Sequence, residues 1–310
     1  MPAPDASEAA APTLTQALRQ AAARLRRAGI DNAGEDARRL AAAVLGLTRA
    51  AILREPHRAL AAEDAERLNG AVARRLLREP VSRIIGMRDF YGRGFCLSPA
   101  TLDPRPDSET VVAAAIELVR EEGWLEAPLS VLDVGTGSGC LLVTLLLELP
   151  TATGVGTDIS TSALAMARHN ARSLGVEHRS RWIAADGLTA IDGRFEVLVC
   201  NPPYIPSTEI ARLEPEVRDF DPHAALDGGG DGLAMFRLLA MEIRRLVAEG
   251  WIILEVGDGQ ADAVTAIFAP LAGGLPGDVR LFRDVAGMRR CVALRTRISR
   301  RELMICAKTP

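Results

Sequence analysis

The stretch SVLDVGTGSGC, residues 130–140, joins a short apolar run to three glycines at alternate positions. A second apolar run, CLLVTLLLEL, begins at the last of these residues and has the composition of a buried helix. Glycine reaches positive φ readily and leaves no side chain between the backbone and a ligand. A helix that begins behind such a loop directs its free N–H groups at polar or anionic groups. We therefore interpret this stretch as a strand, a ligand-binding loop and the start of a helix.

Strands and helices alternate along the chain from residue 130 onward. Further strands are predicted at GVGTDI, RWIAAD, FEVLVC and WIILEVG, and a closing pair within VRLFRDVAGMRRCVALR. Helices are predicted at STSALAMARHNARSLG, capped by Ser160 or Thr161, at DGLAMFRLLAMEIRRLVAEG and at ADAVTAIFAPL. This alternation is typical of a doubly wound α/β fold, in which helices cover both faces of a parallel sheet.

The chain before this region has a different texture. Residues 13–79 carry apolar residues at helical spacing, with acids early and arginines late in the segments. SRIIGMRDFYGRGFCLSP, residues 82–99, has the glycines, aromatics and short alternating runs of a β-hairpin. Asp107 or Ser108 is then placed to cap the helix that begins ETVVAAAIEL. We expect a helical substrate-docking domain at 1–80, a hairpin linker at 81–104, the main α/β domain at 105–296 and a tail at 297–310.

Composition favours a cytoplasmic protein over a membrane or secreted one. The 310 residues carry a net charge of −3, so a strong preference for nucleic acid is not indicated. No apolar run reaches the ~18 residues of a membrane helix, and the acidic N-terminal stretch lacks the pattern of a signal peptide. The five cysteines are scattered without paired spacing, which suits a reducing compartment. No metal-ligand cluster is recognisable in the sequence.

Carboxylates end the second and third predicted strands of the α/β domain. Ligands of such sheets bind beyond the carboxyl ends of the strands, so these side chains are candidates for the same site as the glycine loop. Asp158 is suited to accept both ribose hydroxyls of a nucleoside, and Asp186 to accept a hydrogen bond from an adenine amino group. The pattern Gly-x-Gly-x-Gly, with Cys140 next, departs from the dinucleotide fingerprint, which has Gly or Ala there.

The fourth predicted strand ends in Asn201-Pro202-Pro203-Tyr204. Two prolines hold the loop rigid and leave carbonyl acceptors without N–H donors. The Asn201 side-chain oxygen and the Pro202 carbonyl are suited to hold both hydrogens of an –NH₂ group, and Tyr204 offers a flat wall. Such a grip suits methyl transfer to a planar nitrogen, which is a poor nucleophile because its lone pair is delocalised. Correct placement of donor and acceptor contributes up to ~7–11 kcal/mol, and the reaction requires neither a metal nor a protein nucleophile.

Several segments together resemble the HemK-type N5-glutamine methyltransferases, which modify peptide chain release factors. The resemblance runs from about Glu79 to Leu294 and is carried by VLDVGTGSGC, NPPYIP, EPEVRDFDPHAALDGGGDGL, ILEVGDGQ, RDVAGMRR and the upstream segment EPVSRIIGMRDFYGRGFCLSPATLDPRPDSET. It implies a class I S-adenosylmethionine-dependent methyltransferase domain at 105–296. This domain has a doubly wound, mostly parallel seven-stranded sheet and follows an N-terminal helical domain.

The resemblance also implies the roles of individual residues. S-adenosylmethionine would be held by the loop and the strand ends, with Asp158 on the ribose and Asn201 between cofactor and substrate; the implied cofactor-binding set is Gly135, Thr136, Gly137, Ser138, Gly139, Asp158, Asp186, Gly187 and Asn201. The implied substrate-binding residues are Asn201, Pro202, Pro203 and Tyr204, of which Asn201, Pro202 and Tyr204 are the candidate catalytic residues. The substrate would be the glutamine of the Gly-Gly-Gln loop in a bacterial class 1 release factor, and the N-terminal domain would help to grip that partner.

The sequence departs from the family pattern at Gly187, in DPRPDSET and in a tail after residue 296 that is longer than the family needs. Gly187 stands where some relatives have an aromatic residue over the adenine, so only its backbone would contribute here. DPRPDSET replaces the more usual Ile-Pro-Arg-Pro-Glu-Thr-Glu, which leaves the roles of Arg105 and Glu109 open.

Four other functions compete with this interpretation. The same pocket would serve a glutamine methyltransferase of a ribosomal protein, or an enzyme that methylates an exocyclic amino group of a flipped base in RNA or DNA. A cofactor-binding scaffold without activity is disfavoured because Asn201, Tyr204 and the glycine loop are intact. An NAD dehydrogenase is disfavoured by Cys140 and leaves Asn-Pro-Pro-Tyr unexplained.

Overall fold

The computed structural model describes residues 11–272 and 277–297 of the chain. The chain divides into two compact units between Gly86 and Met87. The first ten residues of the expected domain at 1–80, and residues 298–310 of the expected tail, lie outside the described residues. Residues 81–85 of the expected linker form a helix of the first unit, and the hairpin belongs to the second.

The first unit is helical, as its sequence spacing predicts. Its helices are α1 (Leu14–Arg27), α2 (Ala33–Leu45), α3 (Arg49–Arg54), α4 (Ala62–Leu76) and α5 (Val81–Ile85). Thr13 begins α1 with a capping box: its hydroxyl accepts from the Gln16 N–H, and the Gln16 side chain accepts from the Thr13 N–H. Leu25, Leu40 and Val72 are fully buried in the core of the unit.

The second unit is built on a seven-stranded sheet. The strands of this unit are β1 (Met87–Phe90), β2 (Arg93–Cys96), β3 (Ser130–Val134), β4 (Thr153–Asp158), β5 (Ser180–Ala184), β6 (Val197–Cys200), β7 (Glu249–Glu255), β8 (Val279–Arg283) and β9 (Arg289–Arg297). The sheet consists of β3 to β9. Strands β1 and β2 form a separate antiparallel hairpin. The sheet order is β5-β4-β3-β6-β7-β9-β8, with parallel pairing from β5 to β7 and antiparallel pairing at β9 and β8. This is the mostly parallel seven-stranded sheet expected from the sequence.

Helices cover both faces of this sheet. They are α6 (Glu109–Glu121), α7 (Cys140–Glu148), α8 (Thr161–Ser173), α10 (Ala234–Glu242) and α11 (Ala261–Phe268), and the short helix α9 (Pro215–Arg218) lies in the loop before α10. Side chains alternate between the faces along a strand, so Val197 and Val199 of β6 join the core that contains α6 and α7, whereas Leu198 and Cys200 join the core that contains α10 and α11. The central parallel strands β3, β6 and β7 are buried on both faces, which explains their largely apolar sequences.

The sequence predicts a helix over residues 231–250, and the predicted length is wrong. Helix α10 ends at Glu242, a 3-10 turn follows at Ile243–Arg245, and β7 already begins at Glu249. Gly250 explains this early strand, because a Cβ atom there would stand 2.3 Å from the Glu196 carbonyl oxygen. Close approach of two backbones therefore overrides the helical spacing of the sequence.

The two expected helix caps differ in outcome. The Ser160 hydroxyl accepts from the Ala163 N–H at 3.2 Å and caps α8, as the sequence predicts. Ser108 occupies the N-cap position of α6, but its side chain makes no capping hydrogen bond. The Ser108 hydroxyl instead accepts from the Asn201 Nδ2 group at 3.1 Å. Within residues 11–272 and 277–297, no helix has the length and apolar character needed to cross a membrane.

Candidate active site

A cleft of about 270 Å³ opens at the carboxyl ends of β3, β4 and β6. This is where ligands bind in doubly wound sheets. Its lining includes seven of the residues singled out from the sequence: Gly135, Gly137, Asp158, Asp186, Gly187, Asn201 and Pro203. Further walls come from the segment after the hairpin (Ala100, Leu102) and from the loop that contains Pro222, Ala224 and Ala225. The structure thus brings residues from the ends of four strands, β3, β4, β5 and β6, to one site.

The glycine loop presents backbone to this cleft. Gly135 and Gly137 have φ values of +69° and +55°, and a Cβ atom on either would meet nothing within 4 Å. Gly139 has a different role, because a Cβ atom there would stand 3.1 Å from the Ala167 Cβ atom and 3.2 Å from the Trp182 ring. Gly135 and Gly137 therefore leave room for a ligand, whereas Gly139 allows the loop to pack closely against Ala167 and Trp182.

Thr136 and Ser138 do not line the cleft with their side chains. Both are buried, and the Thr136 hydroxyl donates to Asp133 Oδ2 at 2.5 Å. Burial raises the pKa of Asp133 to about 7, and the hydrogen bond from Thr136 offsets part of that shift. These side chains shape the loop from behind, so only their backbone groups are available to a ligand.

Asp158 is held in place by the loops on either side of it. Its Oδ2 accepts from the Gly137 N–H and its Oδ1 from the Ser160 N–H, both at 2.9 Å. Each carboxylate oxygen has a further lone pair, so the fixed carboxylate can also accept from two neighbouring hydroxyl groups of a ligand. The same hydrogen bonds tie the glycine loop to the end of β4.

Asp186 and Gly187 form the third side of the cleft. The Asp186 side chain is exposed, and its backbone carbonyl accepts from the Thr189 hydroxyl at 2.9 Å. Gly187 has a φ of +59°, and a Cβ atom there would stand 3.1 Å from the Leu238 side chain. Both the conformation and the packing favour glycine, which accounts for the absence of an aromatic side chain at this position.

Asn201-Pro202-Pro203-Tyr204 is divided between the cleft and the protein interior. Asn201 and Pro203 line the cleft, whereas Pro202 is buried and Tyr204 is half-buried outside the lining. The Asn201 Nδ2 group donates to the Ser108 hydroxyl at 3.1 Å. Among the described residues, nothing donates a hydrogen bond to Asn201 Oδ1 or to the Pro202 carbonyl. The sequence interpretation needs these two acceptors for an –NH₂ group.

A buried carboxyl group lies behind this tetrapeptide. Glu255, at the end of β7, is 1% exposed, and the Tyr204 hydroxyl lies 3.5 Å from its Oε1. Burial raises the pKa of Glu255 to about 7, against the lowering effect of the Ser108 hydroxyl and the Arg290 guanidinium. Burial also raises the pKa of Tyr204 to about 12, helped by the Glu255 charge. Glu255 therefore titrates close to physiological pH, where Tyr204 is protonated.

An ion pair holds together the two segments that form one wall of the cleft. Arg105 pairs with the buried carboxylate of Asp221 at 2.5 Å, and Asp221 Oδ1 also accepts from the Asp103 N–H at 3.1 Å. Glu109 accepts from the Tyr91 N–H at 2.8 Å, so it anchors the hairpin. These contacts give Arg105 and Glu109 structural roles that the sequence left open, and they fix the two segments that wall the cleft beside Ala100 and Pro222.

Sequence reasoning missed Ser108, Asp221 and Glu255. Glu255 carried a usable signal, since it is the one charged residue in the apolar run WIILEV and ends the next parallel strand. Asp221 lies in a bend and Ser108 ends a 3-10 turn before α6, and no periodic pattern at either position marks a buried side chain.

The donors and acceptors of the cleft fit a nucleoside-like ligand. Two glycines leave the space a side chain would fill, Asp158 offers acceptors for vicinal hydroxyls, and α7 begins at the loop with its N–H groups directed towards it. Among residues 11–272 and 277–297, no group of three or more His, Cys, Asp or Glu side chains is arranged to hold a metal ion.

Two family models match the chain. The PrmC N-terminal domain matches residues 16–86, and the methyltransferase small domain matches residues 118–213. The first match covers the helical unit, and the second covers the glycine loop, the Asp158 strand and Asn201-Pro202-Pro203-Tyr204.

Release factor glutamine methyltransferases of several bacteria match nearly the whole chain. A release factor glutamine methyltransferase of Rhodospirillum rubrum is 44% identical over 95% of this chain and 88% of its own. One of Bradyrhizobium diazoefficiens is 45% identical over 91% of this chain and 95% of its own. Among solved structures, the hMettl16 catalytic domain in complex with an RNA hairpin shares the fold, with a TM-score of 0.50 and 16% identity over 74% of this chain and 84% of its own. The chain belongs to the release factor glutamine methyltransferase family.

Proposed function

We propose that this chain transfers a methyl group from S-adenosylmethionine to the side-chain amide nitrogen of the glutamine in the Gly-Gly-Gln loop of bacterial class 1 release factors. The observation that carries the proposal is the placement of Asn201 in the same cleft as the glycine loop and Asp158. An acceptor for amide hydrogens thereby stands beside a nucleoside site. The cytoplasm is the expected location, because release factors act there.

The residues that would hold the cofactor follow from the cleft. Gly135 and Gly137 offer room and backbone, Asp158 accepts the ribose hydroxyls, and Asp186 and Gly187 lie at the adenine end. Thr136, Ser138 and Gly139 shape the loop. When bound, S-adenosylmethionine supplies an electrophilic methyl carbon on a positively charged sulfur.

Methyl transfer depends on how hydrogen bonds orient the acceptor amide in the cleft. The glutamine –NH₂ group donates to Asn201 Oδ1 and to the Pro202 carbonyl, which turns the nitrogen lone pair away from both. One amide hydrogen is replaced by the methyl group, and the displaced proton leaves to solvent. No protein base is needed to deprotonate the amide beforehand, and the main contribution of the site is orientation, worth up to ~7–11 kcal/mol. The Tyr204 ring as a wall for the planar amide remains a prediction.

The partner is a folded protein whose loop enters the cleft. We assign the helical unit, with the PrmC N-terminal domain match at 16–86, to gripping that partner. Stable binding of nucleic acid is not expected at a net charge of −3.

The experiment offers labelled S-adenosylmethionine and five candidate acceptors to the purified chain. These are a class 1 release factor, the same factor with its Gly-Gly-Gln glutamine replaced by alanine, ribosomal proteins, RNA and DNA. We expect label in the unmodified release factor alone. Label in ribosomal protein or nucleic acid, with none in the release factor, would overturn the proposal.

A further inference from the structure

The backbone carbonyl of Tyr204, at the end of the Asn-Pro-Pro-Tyr tetrapeptide, is held by a side chain from the turn after β7. Gln260 Nε2 donates to the Tyr204 carbonyl at 2.9 Å, and Gln260 Oε1 accepts from the Gly257 N–H at 2.9 Å. An N–H group only donates and a carbonyl only accepts, so these two partners fix the orientation of the Gln260 amide. The side chain therefore links the tetrapeptide to the turn between β7 and α11.

No backbone group takes the place of this side chain. Among residues 11–272 and 277–297, no backbone N–H donates to the Tyr204 carbonyl. The next residue, Ile205, is paired through its backbone instead: its N–H donates to the Leu226 carbonyl at 3.0 Å, and its carbonyl accepts from the Gly228 N–H at 2.8 Å. Gln260 therefore supplies the hydrogen bond that the backbone does not provide.

Two glycines of the loop before α10 pack against the same carbonyl. A Cβ atom on Gly232 would stand 2.3 Å from the Tyr204 carbonyl oxygen and 2.7 Å from Gln260 Nε2. A Cβ atom on Gly228 would stand 2.8 Å from the Pro203 carbonyl oxygen and 2.8 Å from the Tyr204 Cα atom. The loop therefore packs tightly over the contact between Tyr204 and Gln260 and limits the positions that both can take.

Asn201 lies between two fixed points of the backbone. Cys200, immediately before it, is the last residue of β6, which pairs with β3 and β7 in the sheet. Two prolines follow Asn201, and their rings restrict φ, so few backbone rotations separate Asn201 from the Tyr204 carbonyl. Fixing that carbonyl therefore restricts the position of Asn201 on the side that the sheet does not hold.

On the basis of the proposed function, we propose that Gln260 is a positioning residue for methyl transfer. By holding the Tyr204 carbonyl, it keeps Asn201 Oδ1 and the Pro202 carbonyl in place for the acceptor glutamine. Gln260 does not line the cleft, so it acts through the tetrapeptide and touches neither substrate nor cofactor. The cofactor side is held separately, because backbone N–H groups of other loops fix the Asp158 carboxylate.

Gln260→Met removes both hydrogen bonds at nearly constant side-chain length. With a release factor substrate and saturating S-adenosylmethionine, we expect kcat to fall about 10- to 100-fold, since a misplacement of about 1 Å can cost about 100-fold in rate. The dissociation constant for S-adenosylmethionine should not change. Amide hydrogen exchange at Ile205 should become faster, because Ile205 directly follows the released carbonyl.

Gln260→Glu separates the two hydrogen bonds of this side chain. Glutamate keeps an acceptor for the Gly257 N–H, but its ionised carboxylate has no hydrogen to donate to the Tyr204 carbonyl. We expect a comparable fall in kcat, again with unchanged binding of the cofactor. This variant also carries the test if Gln260→Met fails to fold.

Thr296→Val is the matched control, at the opposite end of β7. The buried Thr296 hydroxyl accepts from the Gly250 N–H at 3.1 Å and donates to the Gly250 carbonyl at 3.2 Å. Valine removes the same two kinds of hydrogen bond at nearly constant shape. We expect a lower melting temperature, with kcat and the hydrogen exchange of Ile205 as in wild type.

The proposal is overturned if a folded Gln260→Met or Gln260→Glu variant keeps the wild-type kcat, or if its loss of activity is accounted for by weaker cofactor binding. An equal fall in kcat in Thr296→Val would also overturn it, because the loss would then follow stability alone. Absence of transfer by the wild-type chain to any release factor would instead refute the proposed function, so the two failures are distinguishable.

Discussion

At the scale of single residues, Asn201 and Asp158 differ in the hydrogen-bond acceptors that they offer in the cleft. Asn201 offers a free acceptor oxygen, while the Asp158 oxygens each accept one backbone N–H and keep a further lone pair. This difference separates the acceptor side from the cofactor side. It also makes the effects of substituting the two residues separable by measurement.

We expect Asn201→Ala to lower kcat about 100-fold or more, because a misplaced acceptor loses the benefit of orientation. Its dissociation constant for S-adenosylmethionine should stay close to wild type, since the principal partner of the side-chain oxygen is the substrate amide. Isothermal titration calorimetry and single-turnover transfer assays measure the two quantities. An equal loss of cofactor binding would contradict the assigned role.

Asp158→Ala should show the reverse pattern. Loss of charge-assisted hydrogen bonds to the ribose should weaken cofactor binding about 10- to 100-fold, and kcat at saturating cofactor should fall less. The variant also loses the hydrogen bonds that Asp158 accepts from the Gly137 N–H of the glycine loop and from the Ser160 N–H before α8, so circular dichroism is the check that it folds. A cofactor dissociation constant equal to that of wild type would argue against the ribose assignment.

Sequence patterns located these two residues because each ends a strand whose neighbours are parallel. The patterns could not locate Ser108 beside the cleft, because its hydroxyl accepts from Asn201, which is far from it in the chain. The sequence marked Ser108 as a helix cap, and it does stand at the N-cap position of α6. Tertiary contacts decide that its hydroxyl serves Asn201 instead.

At the scale of elements, the glycine loop between β3 and α7 can be tested with matched glycines. Gly135 and Gly175 have φ values of +69° and +80°, and a Cβ atom on either would meet nothing within 4 Å. Alanine should cost each variant about 1–2 kcal/mol of folding free energy through backbone strain. Only Gly135→Ala should also weaken cofactor binding, because Gly135 lines the cleft and Gly175 lies in the turn after α8.

Thermal unfolding and cofactor titration of both alanine variants check this expectation. Equal cofactor affinity in the two variants would mean that the loop does not approach the ligand closely.

Element boundaries followed from the sequence where local patterns agree with packing. Helices α7 and α8 and strands β3 and β6 lie where the apolar runs and Ser160 predict them. The residues after α10 were predicted wrongly as helix. Gly250 lies in β7 and packs closely against the backbone of Glu196, and no local sequence pattern reveals that contact. The wall segments tied by Arg105 and Asp221 were likewise beyond prediction, because an ion pair between two loops leaves no periodic trace.

At the scale of the whole molecule, Glu255 couples stability to pH. Its pKa in the folded chain is about 7, above the ~4.3 of an unfolded glutamate. The folded chain therefore binds a proton that the unfolded chain releases, and this contribution to stability is lost as pH rises through about 7.

We expect Glu255→Gln to melt at a higher temperature than wild type above about pH 7, by an increment worth ~1–3 kcal/mol, and to converge with it in mild acid. Asp133 has a similar pKa and remains in the variant, so part of the pH dependence should persist. Differential scanning calorimetry over this range measures the effect. Identical pH slopes of the melting temperature in both proteins would contradict it.

The most direct test of the account is peptide mass spectrometry of a class 1 release factor after incubation with the chain and S-adenosylmethionine. We predict one added methyl group on the glutamine of the Gly-Gly-Gln peptide with the wild-type chain, and almost none with Asn201→Ala. An unmodified glutamine after treatment with folded, cofactor-binding wild-type protein would contradict the central claim, as would a methyl group on another residue.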